Sequence, residues 1–217
     1  MLKITLEKKK GMYPRVLCLG AHCDDIEIGC GGSLMNLIDE YQYIELYWIV
    51  FCSNQERQQE SYKSFEIFSK KVQKKTINIF NFKDGFLPYQ ADKVKDFFEK
   101  TKKVLDPDLI LTHYRDDRHQ DHRIVSDLTW NTYRNHLILE YEIPKYDGDF
   151  GTPNFFVELS EATCRQKIGH ILQVYTSQKE KHWFTEDIFL AAARLRGMEA
   201  CARSKYAEAF YCRKIVI

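Results

Sequence analysis

The stretch RVLCLGAHCDDIEIGCGG, residues 15–32, determines our prediction of the fold. Its first six residues are mostly apolar and end at a glycine, as expected for a short buried strand. The polar group HCDD follows at 22–25, and a glycine-rich segment that leads into a helix comes next. A strand followed directly by a helix is half of a βαβ unit. We therefore predict a parallel sheet with His22, Asp24 and Asp25 at the carboxyl end of its first strand, where open sheets bind ligands.

The same alternation of apolar runs and helical patterns continues along the chain. Strands are predicted at Arg15–Gly20, 44–52, 76–80 and 109–112, with helices between them at 31–40, 57–73 and 92–105. Further on, we expect helices at 121–135, 160–172 and 186–202 and strands at 137–141 and 155–159. This order predicts the α/β class. The expected architecture is a Rossmann-like three-layer sandwich with a mostly parallel sheet, formed by one domain over residues 1–217.

Composition and charge argue against several classes of partner. The 217 residues are 44% hydrophobic, and 32 Lys and Arg balance 31 Asp and Glu to a formal net charge of +1. No long basic stripe is present, and Lys8-Lys9-Lys10 is read as a short solvated run. We therefore expect no nucleic-acid partner.

Cysteine usage and apolar patterning indicate the compartment. The seven cysteines are an odd number without a C-x-x-C pair, which is typical of reduced thiols inside a cell. The first eleven residues lack the apolar core of a signal peptide, and no apolar stretch approaches the length of a membrane span. These features predict a cytoplasmic protein without a membrane span.

A second polar cluster, RDDRHQDH at 115–122, follows the predicted fourth strand and runs into a helix. It lies at another strand carboxyl end, so the fold should carry it towards the first cluster. Together the clusters supply imidazoles and carboxylates in the mixture that catalytic zinc prefers, namely two histidines and one carboxylate with an open position.

Simpler interpretations exist for each residue alone. A histidine at a strand end is often structural, and Asp25, Asp117 or Asp121 could each be only a helix cap. The glycines at 29, 31 and 32 could serve only tight turning and close helix packing. The coincidence of two His/Asp clusters at strand ends of one sheet favours a functional site.

The blocks AHCDDIEIGCGG and HQDH resemble those of the PIG-L/LmbE-like deacetylases. That family carries A-H-P-D-D and H-x-D-H blocks on a Rossmann-like sheet and removes acetyl groups from N-acetylglucosamine-containing substrates with zinc. The resemblance spans most of the chain. Weaker matching pieces are Arg57 with Glu60, Asp84-Gly85-Phe86, Ser177-Gln178, Arg196-Gly197 and Ala207-Glu208-Ala209-Phe210.

The resemblance implies a role for each matching residue. The implied metal ligands are His22, Asp25 and His122. Asp24 would be the general base that activates water, and His119, oriented by Asp121, would stabilise the oxyanion or donate a proton. Arg57 would clamp the substrate, since a guanidinium suits hydroxyls, phosphate or carboxylate. The implied cofactor is Zn²⁺, although a site with two histidines and a carboxylate also accepts Fe²⁺ or Co²⁺.

The sequence departs from the family pattern at a few positions. Cys23 replaces the usual proline, and a thiolate there could compete for zinc. Ile26 replaces the usual glutamate, which comes one place later as Glu27. Tyr175 stands where many relatives have a histidine, so we assign that segment no catalytic role. His113 ends the fourth predicted strand and could line the site or be structural.

These observations predict a metal-dependent hydrolase that deacetylates a small-molecule N-acetylated sugar, glycoside or nucleotide sugar. One alternative is a metal-dependent phosphoesterase acting on a small phosphorylated substrate, which would need two ions and more bridging carboxylates. Another is a non-catalytic binding module, although Gly29-x-Gly31-Gly32 is not a dinucleotide fingerprint. Self-association into a homo-oligomer is common in such families. The sequence does not assign the loop at 144–153.

Overall fold

The protein is described here by a computed structural model covering residues 13–41 and 43–216. The Lys8-Lys9-Lys10 run lies outside these residues. The strands are β1 Arg15–Gly20, β2 Glu45–Cys52, β3 Lys74–Phe82, β4 Leu109–His113, β5 Leu137–Tyr141, β6 Phe155–Leu159 and β7 Tyr206–Cys212. The α-helices are α1 Asp25–Glu40, α2 Gln55–Phe68, α3 Ala91–Thr101, α4 Gln120–Thr132, α5 Glu161–Val174 and α6 Glu186–Glu199. Short 3₁₀ turns lie at Leu87–Gln90 and Thr176–Gln178.

The strands form one sheet in the order β3-β2-β1-β4-β5-β7-β6. The first five strands in this order are parallel, and β7 runs antiparallel to both β5 and β6. The predicted mostly parallel α/β sheet is therefore confirmed. Because β1 is central, with β2 on one side and β4 on the other, the carboxyl ends of these strands meet at one edge.

Helices cover both faces of the sheet. Side chains alternate along β1, so Val16 and Cys18 pack on one face and Leu17 and Leu19 on the other. Helices α1, α2, α5 and α6 contribute buried apolar residues to the first face, and α3 and α4 contribute them to the second. This is the predicted three-layer arrangement.

The first helix begins earlier than we predicted. We placed its start at the Gly31-Gly32 pair, but α1 begins at Asp25 and contains all three glycines. A Cβ on Gly29 would lie 2.1 Å from the Tyr141 ring, and one on Gly31 would lie 2.8 Å from Phe68. The glycines therefore let α1 pack closely against its neighbours, and Asp25 becomes the first helical residue.

The last strand, β7, is absent from the sequence prediction. Its residues are almost all buried, because it lies between β5 and β6. The run YAEAFYC carries Glu208 in its middle, and this charge interrupts the apolar signal of a strand. Four predicted helix ends were also too late, since α2 ends at Phe68, α3 at Thr101, α4 at Thr132 and α6 at Glu199.

No helix in the described ranges 13–41 and 43–216 combines the length and the apolar character needed to cross a membrane.

Candidate metal centre

Four neighbouring strands deliver the polar side chains of the centre. His22 follows β1, Cys52 ends β2, Asp84 follows β3, and His113 ends β4. Helix α4 follows β4 after a six-residue connection and brings His122 back to the same edge. The two clusters that the sequence placed at strand ends therefore meet in space.

The donor atoms of the three predicted metal ligands converge. His22 Nδ1 lies 3.1 Å from His122 Nε2 and 3.4 Å from Asp25 Oδ2. His122 Nε2 lies 3.6 Å from Asp25 Oδ1. Zinc–ligand bonds of 2.0–2.1 Å at tetrahedral angles would separate such atoms by about 3.3 Å. The three side chains are buried and converge. Two possible ligand groups overlap among them, since His22 and His122 form one with His119, and Asp25 and His122 form one with His113.

Each of the two imidazoles directs its second nitrogen to a carboxylate. His122 Nδ1 is 2.9 Å from Asp117 Oδ2, and His22 Nε2 lies 3.2 Å from Asp121 Oδ2 and 3.0 Å from Asp84 Oδ1. Such outer contacts fix the tautomer of a metal-binding histidine and increase its basicity. The arrangement therefore fits imidazoles that present an unprotonated nitrogen to a shared ion.

Burial and the close approach of imidazoles and carboxylates shift the pKa values of the residues in the centre. Burial disfavours charge on Asp25, but the imidazoles of His122, His113 and His22 hold its pKa well below the usual range. Burial, reinforced by the neighbouring His113, lowers the pKa of His122 to about 4. Burial also disfavours charge on His22, but the carboxylates of Asp25, Asp121 and Asp84 raise its pKa well above the usual value. The protein thus keeps the Asp25 carboxylate ionised in the interior.

Asp24 and Arg57 form a buried ion pair beside the ligands. Asp24 is the cap residue of α1, yet its carboxylate makes no capping hydrogen bond; Oδ1 instead accepts from Arg57 Nη2. Asp24 Oδ2 and Arg57 Nε are buried and have no hydrogen-bond partner among the described residues. Arg57 therefore contacts Asp24 directly, and its predicted contact with a substrate remains a prediction.

His119 and Asp121 differ from the arrangement that we expected. The Asp121 carboxylate accepts from the backbone amides of Gly85 (2.7 Å) and Leu87 (3.0 Å), in addition to its contact with His22. His119 Nδ1 instead accepts from the Asp121 backbone amide, at 3.2 Å. Any orientation of His119 by Asp121 therefore acts through the main chain. The His119 ring lies 4.8 Å from the His22 ring, so it borders the ligands.

His113 lies behind the ligands and is completely buried. Its Nε2 accepts from the Ala21 amide at 2.9 Å, and its ring stacks on His122 with centroids 4.0 Å apart. The ligand atoms of Asp25, His113 and His122 also lie within 4.8 Å of one another. The Ala21 amide already occupies His113 Nε2, the nitrogen that also lies 3.1 Å from Asp25 Oδ2.

The loop at 144–153, which the sequence did not assign, contacts the outer part of the centre. Lys145 Nζ is 3.0 Å from Asp117 Oδ2, the oxygen that also contacts His122. Asp149 Oδ2 accepts from the Arg118 amide at 2.7 Å. The loop therefore contacts residues 117 and 118, which lead into the helix α4 that carries His122.

Two thiols lie near the centre, namely Cys23, which sequence analysis singled out, and Cys52. Cys23 donates to the Cys52 carbonyl, at 3.5 Å, and belongs to none of the possible ligand groups found within 13–41 and 43–216. Cys52, which we read as a core residue, belongs to one of them, together with His22 and Asp121. The sequence feature that could have drawn attention to Cys52 was its position at the end of the predicted strand 44–52.

The weaker matching pieces of the sequence contact one another. Glu60 accepts from the Ser177 amide and hydroxyl, at 2.8 and 2.6 Å. A Cβ on Gly197 would lie 2.2 Å from the Lys205 carbonyl oxygen, so only glycine lets α6 approach the start of β7. Glu60, Ser177 and Gly197 therefore support the structure around the sheet, whereas Arg57 and Asp84 contact residues of the centre.

Comparison with known proteins gives similar sequences and similar folds. Over 152 residues the chain is 32% identical to "Uncharacterized deacetylase YaiS" of Escherichia coli (strain K12), covering 64% of this chain and 77% of that protein. A solved structure of N,N'-diacetylchitobiose deacetylase from Pyrococcus horikoshii superposes with a TM-score of 0.69 at 21% identity, covering 91% of this chain and 83% of that one. GalB, the 4-carboxy-2-hydroxymuconate hydratase of Pseudomonas putida KT2440, superposes with a TM-score of 0.73 at 16% identity, covering 94% and 98%.

The solved structures show the fold alone, because one fold carries different reactions. The sequence comparisons are more specific. The family model described as PIG-L, GlcNAc-PI de-N-acetylase, matches residues 17–133, which include both polar clusters. Since this match spans more than half of the 217 residues and the 32% identical relative agrees with it, the chain belongs to the PIG-L family of deacetylases.

Proposed function

We propose that the protein is a metal-dependent hydrolase that removes the acetyl group from an N-acetylated, N-acetylglucosamine-like sugar derivative. The observation that carries the proposal is the convergence of His22 Nδ1, His122 Nε2 and the Asp25 carboxylate within 3.6 Å of one another. Asp24 lies directly beside this set. Membership in a deacetylase family supports amide hydrolysis over the phosphoesterase alternative.

His22, Asp25 and His122 would hold the ion. Two imidazoles and a carboxylate suit Zn²⁺, and they also suit Fe²⁺ or Co²⁺. When bound, such an ion polarises the amide carbonyl and lowers the pKa of water. The protein contributes the fixed ligand spacing and the carboxylates of Asp117, Asp121 and Asp84 behind the imidazoles.

Asp24 would act as the general base. Arg57 holds Oδ1 and fixes the direction of the carboxylate, while Oδ2 has no partner among the described residues and can receive a proton from water. The water oxygen bonds to the acetyl carbon, the C–N bond breaks, and acetate and a protonated amine leave. Arg57 would contact the substrate only through the part of its guanidinium that Asp24 leaves free.

His119 would stabilise the oxyanion. Because its Nδ1 accepts from the Asp121 amide, the neutral imidazole carries its proton on Nε2 and can donate to a developing negative charge. Burial, together with the charge of the neighbouring His22, lowers the pKa of His119, so this neutral donor is present at neutral pH.

The central test is an assay of N-acetylated sugars, glycosides and nucleotide sugars, with and without chelator. We expect equal amounts of acetate and primary amine, and loss of both on chelation. Asp24→Asn should retain the metal but reduce kcat by about 100-fold or more, because the base is lost. Asp39→Asn on the exposed side of the same helix is the matched control. Full activity of the Asp24 variant, or metal-dependent release of phosphate instead of acetate, would contradict the proposal.

The location and assembly of the protein follow as expectations. All seven cysteines are free thiols, which supports a reducing, cytoplasmic location. Whether the protein forms a homo-oligomer is tested by its mass in solution.

A further inference from the structure

Cys52 is a buried thiol beside the centre, and the mechanism above does not use it. It ends β2 and is 2% exposed. Its Sγ lies 3.7 Å from Asp121 Oδ2 and 3.8 Å from the Lys83 carbonyl oxygen, both long for a hydrogen bond from sulfur. The thiol therefore faces polar atoms without a strong partner.

These atoms form a second group with metal-ligand spacing. The ligand atoms of His22, Cys52 and Asp121 lie within 4.8 Å of one another. At tetrahedral angles, a zinc–sulfur bond of 2.3 Å and a zinc–oxygen bond near 2.0 Å separate sulfur from oxygen by about 3.6 Å, and nitrogen from oxygen by about 3.3 Å. The observed separations are 3.7 Å for Cys52 Sγ to Asp121 Oδ2 and 3.2 Å for His22 Nε2 to Asp121 Oδ2.

The second group uses the opposite nitrogen of His22 from the first. Nδ1 faces Asp25 and His122, whereas Nε2 faces Asp121. Asp84 Oδ1 lies 3.0 Å from the same Nε2, and its side chain is 65% exposed, which marks the solvent side of this group. One imidazole therefore separates the two sets of donors.

We propose that Cys52, Asp121 and His22 Nε2 form a second, inhibitory site for a thiophilic divalent ion such as Zn²⁺ or Cd²⁺. Thiolate selects such ions, and Mg²⁺ or Ca²⁺ should not bind there. Binding releases the thiol proton and the proton on His22 Nε2 to solvent. The ion then removes the hydrogen bond that Asp121 makes to His22 and competes with the first ion for this imidazole.

Cobalt provides a spectroscopic test that needs no substrate. Without a thiolate ligand, a first equivalent of Co²⁺ should give only weak visible d–d bands. A second equivalent should add a near-ultraviolet sulfur-to-cobalt charge-transfer band. Cys52→Ala should bind the first equivalent and lose the added band. Cys52→Ser, which keeps a polar atom of similar size, covers the case in which the alanine variant does not fold.

Inhibition is measured separately and rests on the proposed function. Loss of an outer contact already costs about tenfold in metal affinity, so loss of the direct thiolate ligand should raise the inhibitory Zn²⁺ concentration by more than about tenfold. The exposed Cys201 supplies the matched control, and Cys201→Ser should keep the wild-type inhibition and spectrum.

The outcomes separate the two proposals. A charge-transfer band that requires Cys52 supports the second site even if no acetylated sugar is hydrolysed. A charge-transfer band at the first equivalent would overturn the second site, because Cys52 would then belong to the primary one. Its absence at two equivalents, or unchanged inhibition in both Cys52 variants, would also overturn it.

Discussion

At the scale of single residues, the carboxylates behind the imidazoles decide how firmly an ion is held. Asp117 contacts His122 Nδ1 at 2.9 Å and also receives Lys145 Nζ at 3.0 Å. Burial favours its neutral form, but the hydrogen bond and charge of His122, together with Lys145, keep the pKa of Asp117 below the usual range. An ionised carboxylate in this position makes the imidazole a better donor to the metal.

Asp117→Asn should therefore weaken metal binding by roughly 10- to 100-fold while leaving the ligands in place. A competition assay with a chromophoric chelator measures this change. Asp116→Asn, at the exposed neighbouring position, should bind metal as the wild type does. Equal affinity in the two variants would show that Asp117 does not support His122.

Glu27 provides a prediction about pH. Burial raises its pKa from 4.5 to about 8, although the nearby Ser64 and the Tyr175 hydroxyl, which donates to Oε1, favour the charged form. The folded protein then holds a proton that the unfolded chain releases above pH 4.5, so this residue reduces stability as pH rises from about 4.5 towards 8. Tyr175 OH also donates to the Cys23 carbonyl, so the effect reaches the turn between His22 and Asp24.

Glu27→Gln mimics the protonated acid and should remove the decrease in folding stability that Glu27 causes as pH rises. Urea unfolding of the metal-free protein at pH 5 and pH 8 should show the variant gaining on the wild type by roughly a few kcal/mol at the higher pH. Glu40→Gln, at the exposed end of α1, is the control. A difference between Glu27→Gln and wild type that does not change with pH would contradict the assignment.

Sequence patterns indicated which residues lie in the centre better than they indicated which atoms these residues contact. The convergence of strand ends in a parallel sheet predicted that the two clusters meet, and the family resemblance selected His22, Asp25 and His122 within them. The donor atoms of these three residues lie together. The direction of the Asp121 carboxylate could not be predicted, since it depends on the backbone of Gly85 and Leu87, more than thirty residues earlier. Cys52 packs in the core, as expected for a cysteine in an apolar run, and its approach to the Asp121 carboxylate depends on residues far away in sequence.

At the scale of elements, α1 shows how a helix can depend on glycine. A Cβ at residue 29 would overlap the Tyr141 ring, and Tyr141 cannot move freely because its hydroxyl donates to the Leu19 carbonyl at 2.6 Å. In α5, a Cβ on Gly169 would meet nothing within 4 Å. The same substitution should therefore have opposite effects in the two helices.

Gly29→Ala should destabilise the protein by on the order of 2 kcal/mol through overpacking. Gly169→Ala should stabilise it by about 0.5–1 kcal/mol, because alanine restricts the unfolded chain and favours the helix. Chemical denaturation of both variants tests the pair. If Gly29→Ala were as stable as Gly169→Ala, the close approach of Tyr141 would be wrong.

The start of α1 was predicted incorrectly because its glycines allow close packing that the sequence pattern does not reveal. Glycine has a low intrinsic helix propensity, which argues against a helix through residues 29–32. The packing of α1 against the Tyr141 and Phe68 rings outweighs this low propensity. Strand β7 failed because Glu208 is buried by partners from elsewhere in the chain. It accepts from the Gly32 and Ser33 amides at 2.9 and 2.6 Å and pairs with Lys167 at 2.5 Å. Those partners lie too far away in sequence for any local pattern to reveal them.

At the scale of the whole molecule, a metal at the proposed ligands would join two distant parts of the chain. His22 and Asp25 follow β1, whereas His122 lies in α4, one hundred residues after His22. The unfolded chain does not hold these ligands together, so the ion binds the folded protein and stabilises it.

Zinc at a thousand times its Kd should raise the free energy of unfolding by about 4 kcal/mol. His122→Ala should lose this increment, which thermal unfolding with and without chelator can measure. His182→Ala, at an exposed histidine, should retain it. An equal increment in both variants would place the ion elsewhere.

The antiparallel strand β7 has a consequence for the order in which the protein matures during translation. Strand β6 forms its only described ladder with β7, whose residues 206–212 are synthesised long after residues 155–159. Until those later codons have been read and the polypeptide has left the ribosome, β6 cannot enter the sheet. The Glu208 contacts to the α1 backbone are delayed with it. A nascent chain stalled before codon 206 should therefore present an unpaired, chaperone-accessible edge at β5, even though the centre at 22–122 has already emerged.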